Sequence, residues 1–336
     1  MTRSFDSSES TDPAESIGSS DPFVRYLNAK RTVDDRALHR PTFERLVTAL
    51  ETRAANRGDD PVRILEVGVG TGTMLPRLCD WNALSGDVVY VGVDTRDAAI
   101  AAAADKLTER SFERFGERRF RLETDERTLT VELHVADAFS WASALAAGTV
   151  DCVIDELAGD DPTFDLLIAM AFLDVVEFDR AAEALFPLVA GSGLGYFPIT
   201  FDGETIFEPV SDAERNAAVL DAYHAAMDAP DRPGGSNTGR RLFSALPAAN
   251  AERLAAGGSD WVVAPDDDAY PADERAFCRY IVDTIERAVL TETPAPARAG
   301  LSDSDVVAWA DDRRAQLDRG TLVYCAHGFD HLVRFP

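Results

Sequence analysis

The sequence predicts an α/β protein, an open and mostly parallel sheet with helices on both faces. Three observations carry that reading. An apolar run from Val62 to Val67 reads as a buried strand and breaks into glycines at alternate positions, Gly68, Gly70 and Gly72. Two further apolar runs, Val88–Asp94 and Val131–Asp137, each close on a carboxylate. Segments with helical spacing separate these runs, which is the arrangement of βαβ units around a parallel sheet.

The glycines let the backbone turn sharply and let a ligand come close to the chain. The apolar positions after them suit the start of a helix, whose free N–H groups face the same ligand. Residues 62–80 therefore read as a strand–loop–helix that holds a nucleotide-like cofactor. The dinucleotide fingerprint is Gly-x-Gly-x-x-Gly, whereas the spacing here is Gly-x-Gly-x-Gly behind Glu66. A carboxylate at that point repels a pyrophosphate and suits a cationic ligand. A P-loop is excluded, because no Gly-Lys-Ser/Thr follows. Residues 64–74 resemble motif I of the class I S-adenosylmethionine (SAM) methyltransferases, whose cofactor carries a sulfonium and an ammonium.

The next strand ends extend the resemblance. Asp94 stands about 20 residues past the glycines, the position of an acidic residue that reaches ribose hydroxyls in a nucleotide-binding βαβ unit. The resemblance implies that Asp137 accepts from the adenine amino group and that Ala138 and Phe139 pack on the ring. A fourth strand fits 164–169, followed by Met170 to Asp174, and a fifth fits 193–201. Over residues 61–201 the resemblance implies a Rossmann-like class I methyltransferase sheet, mostly parallel and seven-stranded with the last strand antiparallel. It implies SAM held by Glu66, Gly68, Val69, Gly70, Thr71, Gly72, Asp94, Thr95, Asp137, Ala138, Phe139, Met170 and Leu173. A plain helix cap is the competing role for each carboxylate. For Asp94 and Asp137 it is the weaker one, since each closes an apolar run on the glycine side of the sheet; for Asp174 the two roles are balanced.

The 336 residues leave room for about two domains or one enlarged one. The formal charge is −26, and Lys30 and Lys106 are the only lysines. So acidic a surface suits a salt-rich cytosol, where repulsion is screened, and points to a halophilic host. Scattered arginines and the pair Arg240-Arg241 make no basic block, which argues against a nucleic-acid substrate. Cys79, Cys152, Cys278 and Cys325 lack Cys-x-x-Cys spacing and read as buried thiols, not metal ligands. No run of about 18 apolar residues suggests a membrane span. No apolar core follows Arg3 to make a secretory signal, so a cytoplasmic location is expected.

Along the chain, residues 1–20 read as a disordered acidic tail and 21–60 as an N-terminal helical cap, with Pro41 kinking the helix or starting a new one. Residues 61–201 form the SAM-binding core. Within it 97–115 reads as a helix, and 119–123 with 128–135 as a hairpin extending the third strand. Residues 149–155 rival 164–169 as the fourth strand. The latter is preferred because it leaves one helix length, 176–189, before the fifth. Residues 202–336 complete the sheet around a helical lid insertion: helices at 212–227 and 238–246, a sixth strand at 252–264, helices at 271–290 and 303–317, and a last strand at 320–327.

The implied activity is SAM-dependent methyl transfer to a small-molecule acceptor. An RNA or protein methyltransferase, a non-catalytic SAM-binding protein and a Rossmann dehydrogenase are the rivals. Candidate substrate-side residues are His224, Tyr223, Arg240 and Tyr26. Histidine titrates near neutral pH and arginine clamps carboxylates or phosphates; a surface histidine and an arginine paired with a nearby acid are the plainer alternatives. Tyr26, Lys30 and Arg31 suit a substrate entrance. Asp202 and Glu208, just past the fifth strand, are placed near methyl transfer; His327 and His331 are weaker candidates. No Asn-Pro-Pro-Tyr follows either fourth strand, and no acidic trio suggests a metal. If the surface is salt-adapted, the chain unfolds at low salt and refolds in molar KCl, as followed by circular dichroism; full stability in dilute buffer contradicts this.

Overall fold

The computed structural model describes residues 21–150, 152, 163–298 and 300–336. The acidic tail, and all of the rival fourth-strand segment except 149, 150 and 152, lie outside the described residues. The chain begins with α1 (Pro22–Ala29), α2 (Arg31–Ala37) and α3 (Arg40–Arg57). The long first helix expected from periodicity is thus three, and Pro41 sits in the first turn of α3, where its missing N–H has no partner to lose.

The core follows as β1 (Val62–Val67), α4 (Met74–Asp80), β2 (Val88–Asp94), α5 (Asp97–Glu109), β3 (Glu113–Arg114), β4 (Arg119–Glu123), β5 (Thr128–Val135) and α6 (Ala138–Ala146). Then come β6 (Phe164–Ile168), α7 (Phe178–Leu185), β7 (Val189–Glu208), α8 (Ala213–Met227), α9 (Thr238–Ala248), β8 (Glu252–Gly258) and β9 (Trp261–Val263). The chain ends with α10 (Glu274–Thr291), α11 (Asp303–Asp318) and β10 (Val323–Arg334). The sheet order is β3-β4-β5-β2-β1-β6-β7-β10-β8, with β9 also on β10. The pairs β5–β2, β2–β1, β1–β6 and β6–β7 are parallel, and β10 runs antiparallel to β7. The expected mixed α/β sheet with an antiparallel last strand is therefore present, but among the described residues it has ten strands, not seven, because β3 and β4 extend one edge and the sixth strand comes in two pieces.

β1 and β6 are buried along their whole length, as strands covered on both faces must be. One face is covered by Phe43, Leu46 and Leu50 of α3 with Leu75, Leu78, Ile100 and Leu107 from α4 and α5. The other is covered by Trp141, Leu145, Leu185, Leu242 and Leu246. Three expectations are corrected. Helix α5 stops at Glu109, and β3 occupies part of the remainder. The sixth strand is interrupted at Ser259–Asp260, although Phe329–Gly258 and Ala326–Trp261 keep one register along β10 and Ser259 N still donates to the Gly328 carbonyl at 2.8 Å. The fifth strand runs on to Glu208 and the last one to Arg334, since each supplies the other's ladder partners.

A third cluster joins Val219, Phe277, Ile281, Val306 and Trp309 of the C-terminal helices to Ala29 and Val33 of the first two helices. Polar contacts fix the same junction. Arg77, its side chain 1% exposed, donates through Nε to Asp35 Oδ1 at 2.5 Å and lies 3.6 Å from Asp34. Asp34 accepts from Trp261 Nε1 at 2.9 Å, and Arg36 pairs with buried Glu274 at 2.6 Å. Removing one partner of a buried pair leaves the other charge stranded. Arg77→Met should accordingly destabilise the fold by about 3–5 kcal/mol, measured by urea denaturation; a loss below about 1 kcal/mol would show that solvent reaches the aspartates.

Candidate functional site

β1 ends at Val67 and the chain turns through Gly68, Gly70 and Gly72 at φ 68°, 54° and 65°, a region L-residues rarely enter. A Cβ on Gly68 would lie 2.8 Å from Phe172 Cδ2, and one on Gly72 2.9 Å from Ala103 Cβ. The Gly68 and Val69 N–H groups donate to the Val93 carbonyl at 2.8 and 3.1 Å. Asp94 holds the loop from the neighbouring strand end: Oδ2 accepts from Gly70 N and Oδ1 from Arg96 N, each at 2.9 Å. Asp137 caps α6, its Oδ1 accepting from Ser140 N and Oγ at 3.0 and 2.9 Å. The cap and the strand-end carboxylate are thus one residue.

These ends enclose a cavity of about 330 Å³ where the strand order reverses on either side of β1, the crevice in which open α/β sheets bind ligands. Glu66, Gly68, Val69, Gly70, Thr71, Asp94, Thr95, Asp137, Ala138, Phe139 and Met170 line it, under Phe23 and Leu27 of α1 and Lys30 at its C-terminal end. Gly72 and Leu173 do not: the first packs on Ala103 and the second is buried in the core. The Tyr90 hydroxyl donates to Glu66 Oε2. Burial pushes the Glu66 carboxyl up to about 8, against the pull of that hydrogen bond and of Arg77. Lys106 braces the loop, its Nζ donating to Asn28 Oδ1, Thr71 O and Thr71 Oγ1 at 2.7, 3.0 and 2.8 Å. Burial, then Arg31 and Arg77, lowers its pKa to about 8.

A second cavity of about 370 Å³ adjoins the first, and Phe23, Leu27, Lys30, Ala171 and Val175 line both. Its walls are aromatic: Tyr26, Phe201, Tyr223, Trp261, Tyr280 and Tyr324. Asp174 is the one carboxylate among its lining residues. Burial raises that acid to about 6, opposed by the backbone N–H groups of Asp174 and Phe201 and by the charge of Lys30. Its Oδ1 is enclosed without a hydrogen-bond partner. Gly235 N donates to the Asp174 carbonyl at 3.2 Å, and a Cβ on Gly234 would strike that oxygen at 2.1 Å, so this close approach requires glycine.

Of the substrate-side candidates, Tyr26 and Tyr223 line the second cavity. His224 does not; its Nε2 lies 3.1 Å from Thr205 Oγ1 and burial lowers its pKa. Arg240 is held by Asp202, donating through Nε to both carboxylate oxygens at 3.0 and 2.8 Å and through Nη2 to the carbonyl at 2.8 Å. The plainer ion-pair role is the one its geometry has, and neither Arg240 nor Asp202 lines either cavity. Glu208 bonds Val210 N at the far end of β7. His331 is buried against the Gly239 carbonyl, its pKa lowered to about 4, whereas His327 faces the second cavity beside Asp260. Cys152 is buried as expected and lies with Glu132 and His134, one ligand-type atom of each within 4.8 Å of the others. Sequence reasoning passed over Lys106, Tyr280 and Tyr324. For Lys106 the available signal was scarcity, since both lysines of the chain are here.

No family model matches the sequence, and no curated protein matches it. Among solved structures the chain is similar to a SAM-dependent methyltransferase from Thiobacillus denitrificans in complex with S-adenosyl-L-homocysteine. The identity is 13%, over 94% of this chain and 98% of that one, with TM-score 0.44. It is also similar to the cyclopropane synthase MmaA2 from Mycobacterium tuberculosis, at 11% identity over 88% and 83% with TM-score 0.39. The cyclase SpnF matches at 19% identity over 86% and 81%, TM-score 0.37. Similarities at this level add no argument about the chemistry of this chain, which rests on its own residues.

An acid whose folded pKa lies above its unfolded value of about 4.3 destabilises the fold progressively as pH rises from there to its folded pKa. For Glu66 that window ends near 8. Glu66→Gln should therefore melt several degrees above the native chain at about pH 9 and show little or no advantage at about pH 5. A difference that does not change with pH in a melting series would contradict the buried, protonated Glu66.

Proposed function

We propose that this protein is a SAM-dependent methyltransferase acting on a small molecule, with the methyl donor in the first cavity and the acceptor in the second. The observation that supports this most is the pair of adjoining cavities with five shared lining residues. One is bounded by carboxylates and turning glycines, the other by aromatic rings. Bound SAM would supply a methyl group on a sulfonium, open to in-line attack. The protein's part is to position both partners, which can supply roughly 7–11 kcal/mol.

The lining residues fit that donor. Glu66 offers a buried acid to an ammonium, and Asp94 keeps further acceptor capacity for ribose hydroxyls beside its two backbone bonds. Asp137, Ala138 and Phe139 suit an adenine, with Val69, Gly70, Thr71, Thr95 and Met170 completing the walls. Gly68 and Gly72 allow the turn, and Leu173 belongs to the core beneath the sheet face. Helices α1–α3 and the part after residue 201 serve as the lid. A pyrophosphate cofactor is disfavoured by Glu66. A cavity of about 370 Å³ favours a small acceptor over RNA or protein. Among the described residues no helix is long and apolar enough to cross a membrane; with a charge of −26 we place the protein in a salt-rich cytoplasm.

Titration calorimetry with S-adenosylhomocysteine tests the donor site. Glu66 must ionise to pair with the ammonium, so affinity should rise with pH until about 8. Near neutral pH, binding should release up to about one proton, read from buffers of different ionisation heat. Gly70→Val should abolish binding, because its Cβ position faces Leu27 Cδ1 at 3.1 Å and its φ is positive. No binding by the native chain overturns the donor assignment; pH-independent affinity overturns the role of Glu66.

A further inference from the structure

We infer that the second cavity takes a small apolar molecule whose nucleophile is a basic amine, and that Asp174 receives the ammonium and accepts its proton. This rests on the reading of the two cavities as donor and acceptor sites.

Charge matching points to a cation. Lys30 is paired with Asp34 at 3.4 Å and lies 5.2 Å from the centroid of the Trp261 ring, and His327 Nδ1 lies 2.5 Å from Asp260 Oδ1. Asp174 has no ion-pair partner within 4.0 Å among the described residues, and its enclosed Oδ1 accepts no hydrogen bond. A carboxylate left with unmet acceptor capacity inside a fold is costly unless a ligand meets it. The surrounding rings favour the same occupant. Tyr26 and Tyr280 stack at 4.2 Å, and Tyr223 and Phe201 stand on the same cavity. Ring faces attract ammonium groups and bury an apolar body. A carboxylate or phenolate acceptor would bring a second negative charge to Asp174.

The position suits transfer as well. Asp174 lies between Ala171 and Val175, which line both cavities, so an amine bound to it sits at their junction. The ammonium N–H bond breaks and its proton goes to the Asp174 carboxylate. The freed lone pair then forms the N–CH3 bond as the C–S bond breaks, and that electron pair stays on sulfur and discharges the sulfonium. The proton on Asp174 returns to solvent once the product leaves. Burial, by bringing the acid to about 6, leaves it ionised at neutral pH and a better proton acceptor than an ordinary carboxylate. Lys30 between α1 and α2, Tyr26 of α1, Tyr223 of α8, Tyr280 of α10, and Tyr324 and His327 of β10 line the same cavity, with Asp34 behind Lys30. Burial holds Tyr26, Tyr223 and Tyr324 as neutral phenols.

The test is binding of phenethylamine, phenethyl alcohol and phenylacetate to the full chain saturated with S-adenosylhomocysteine, by calorimetry. The amine should bind at least roughly tenfold tighter than the alcohol, and phenylacetate more weakly still. That preference should vanish in Asp174→Asn and fade in the native chain between about pH 8 and about pH 5. A merely structural Asp174 would weaken all three ligands alike. Equal or tighter binding of the alcohol or of phenylacetate, or a preference that survives both Asp174→Asn and acid, overturns the inference. So does the binding of none of the three by a chain that binds S-adenosylhomocysteine. An amine preference without S-adenosylhomocysteine binding would instead overturn the methyltransferase reading and leave the amine site standing. Should Asp174→Asn fail to fold, the pH series on the native chain decides.

Discussion

The ion network around Arg77 is the constraint on which the rest of the molecule depends. A guanidinium removed from water is tolerated only when its donors are met, and here two aspartates of α2, Thr73 and the Arg31 carbonyl meet them. Because Asp34 also takes the Trp261 indole N–H, one residue binds the N-terminal helices to both α4 and β9. Those helices carry Phe23, Leu27 and Lys30, which form a wall of each cavity. Without the network the crevice would lose its roof. Lys106, reaching from α5 to Asn28 and Thr71, ties the same roof to the glycine loop.

Four acids around the crevice differ in environment, and the difference separates their chemistry. Glu66 is buried with a phenol and is held protonated near neutral pH in the free protein. Asp94 is anchored by two backbone N–H groups and fixes loop geometry. Asp137 is a half-exposed helix cap. Asp174 is enclosed with unmet capacity. Carboxyl groups whose surroundings push their pKa values apart can do different jobs within one site. Four aspartates and glutamates at strand ends look alike in a sequence; only packing tells them apart.

What was legible in the chain was local. The strand at 62–67, its glycines and the carboxylates at 94 and 137 follow from runs of a few residues. The fourth strand was legible because 164–168 alone left one helix before the fifth. The second cavity was not legible, for its rings come from Tyr26, Phe201, Tyr223, Trp261, Tyr280 and Tyr324, spread over most of the chain. Helical periodicity marks such rings as inward-facing and cannot say whether they meet a core or a cavity. Arg240 misled for the opposite reason. A doublet of arginines after a glycine-rich loop looks like an anion clamp, yet the partner that engages it, Asp202, is 38 positions away and brought near only by β7 and α9.

The same chain shows how a strongly acidic protein can keep specific charge chemistry. With a formal charge of −26, long-range attraction for cations is general over the surface and selects nothing. Selection has to come from sites where solvent and salt are excluded and charges are matched one to one. Around the crevice Lys30 has Asp34, Arg77 has Asp34 and Asp35, and Lys106 has the loop carbonyl and hydroxyl, while Arg96 lies 4.0 Å over the Phe23 ring. Against that background an acid with one enclosed, unbonded carboxylate oxygen and no ion pair among the described residues is a specific feature, where on the surface it would be one among many. Matching therefore does more than hold the roof in place. It removes the internal cations that would otherwise satisfy Asp174 and leaves the charge of the second cavity to be completed by what enters it.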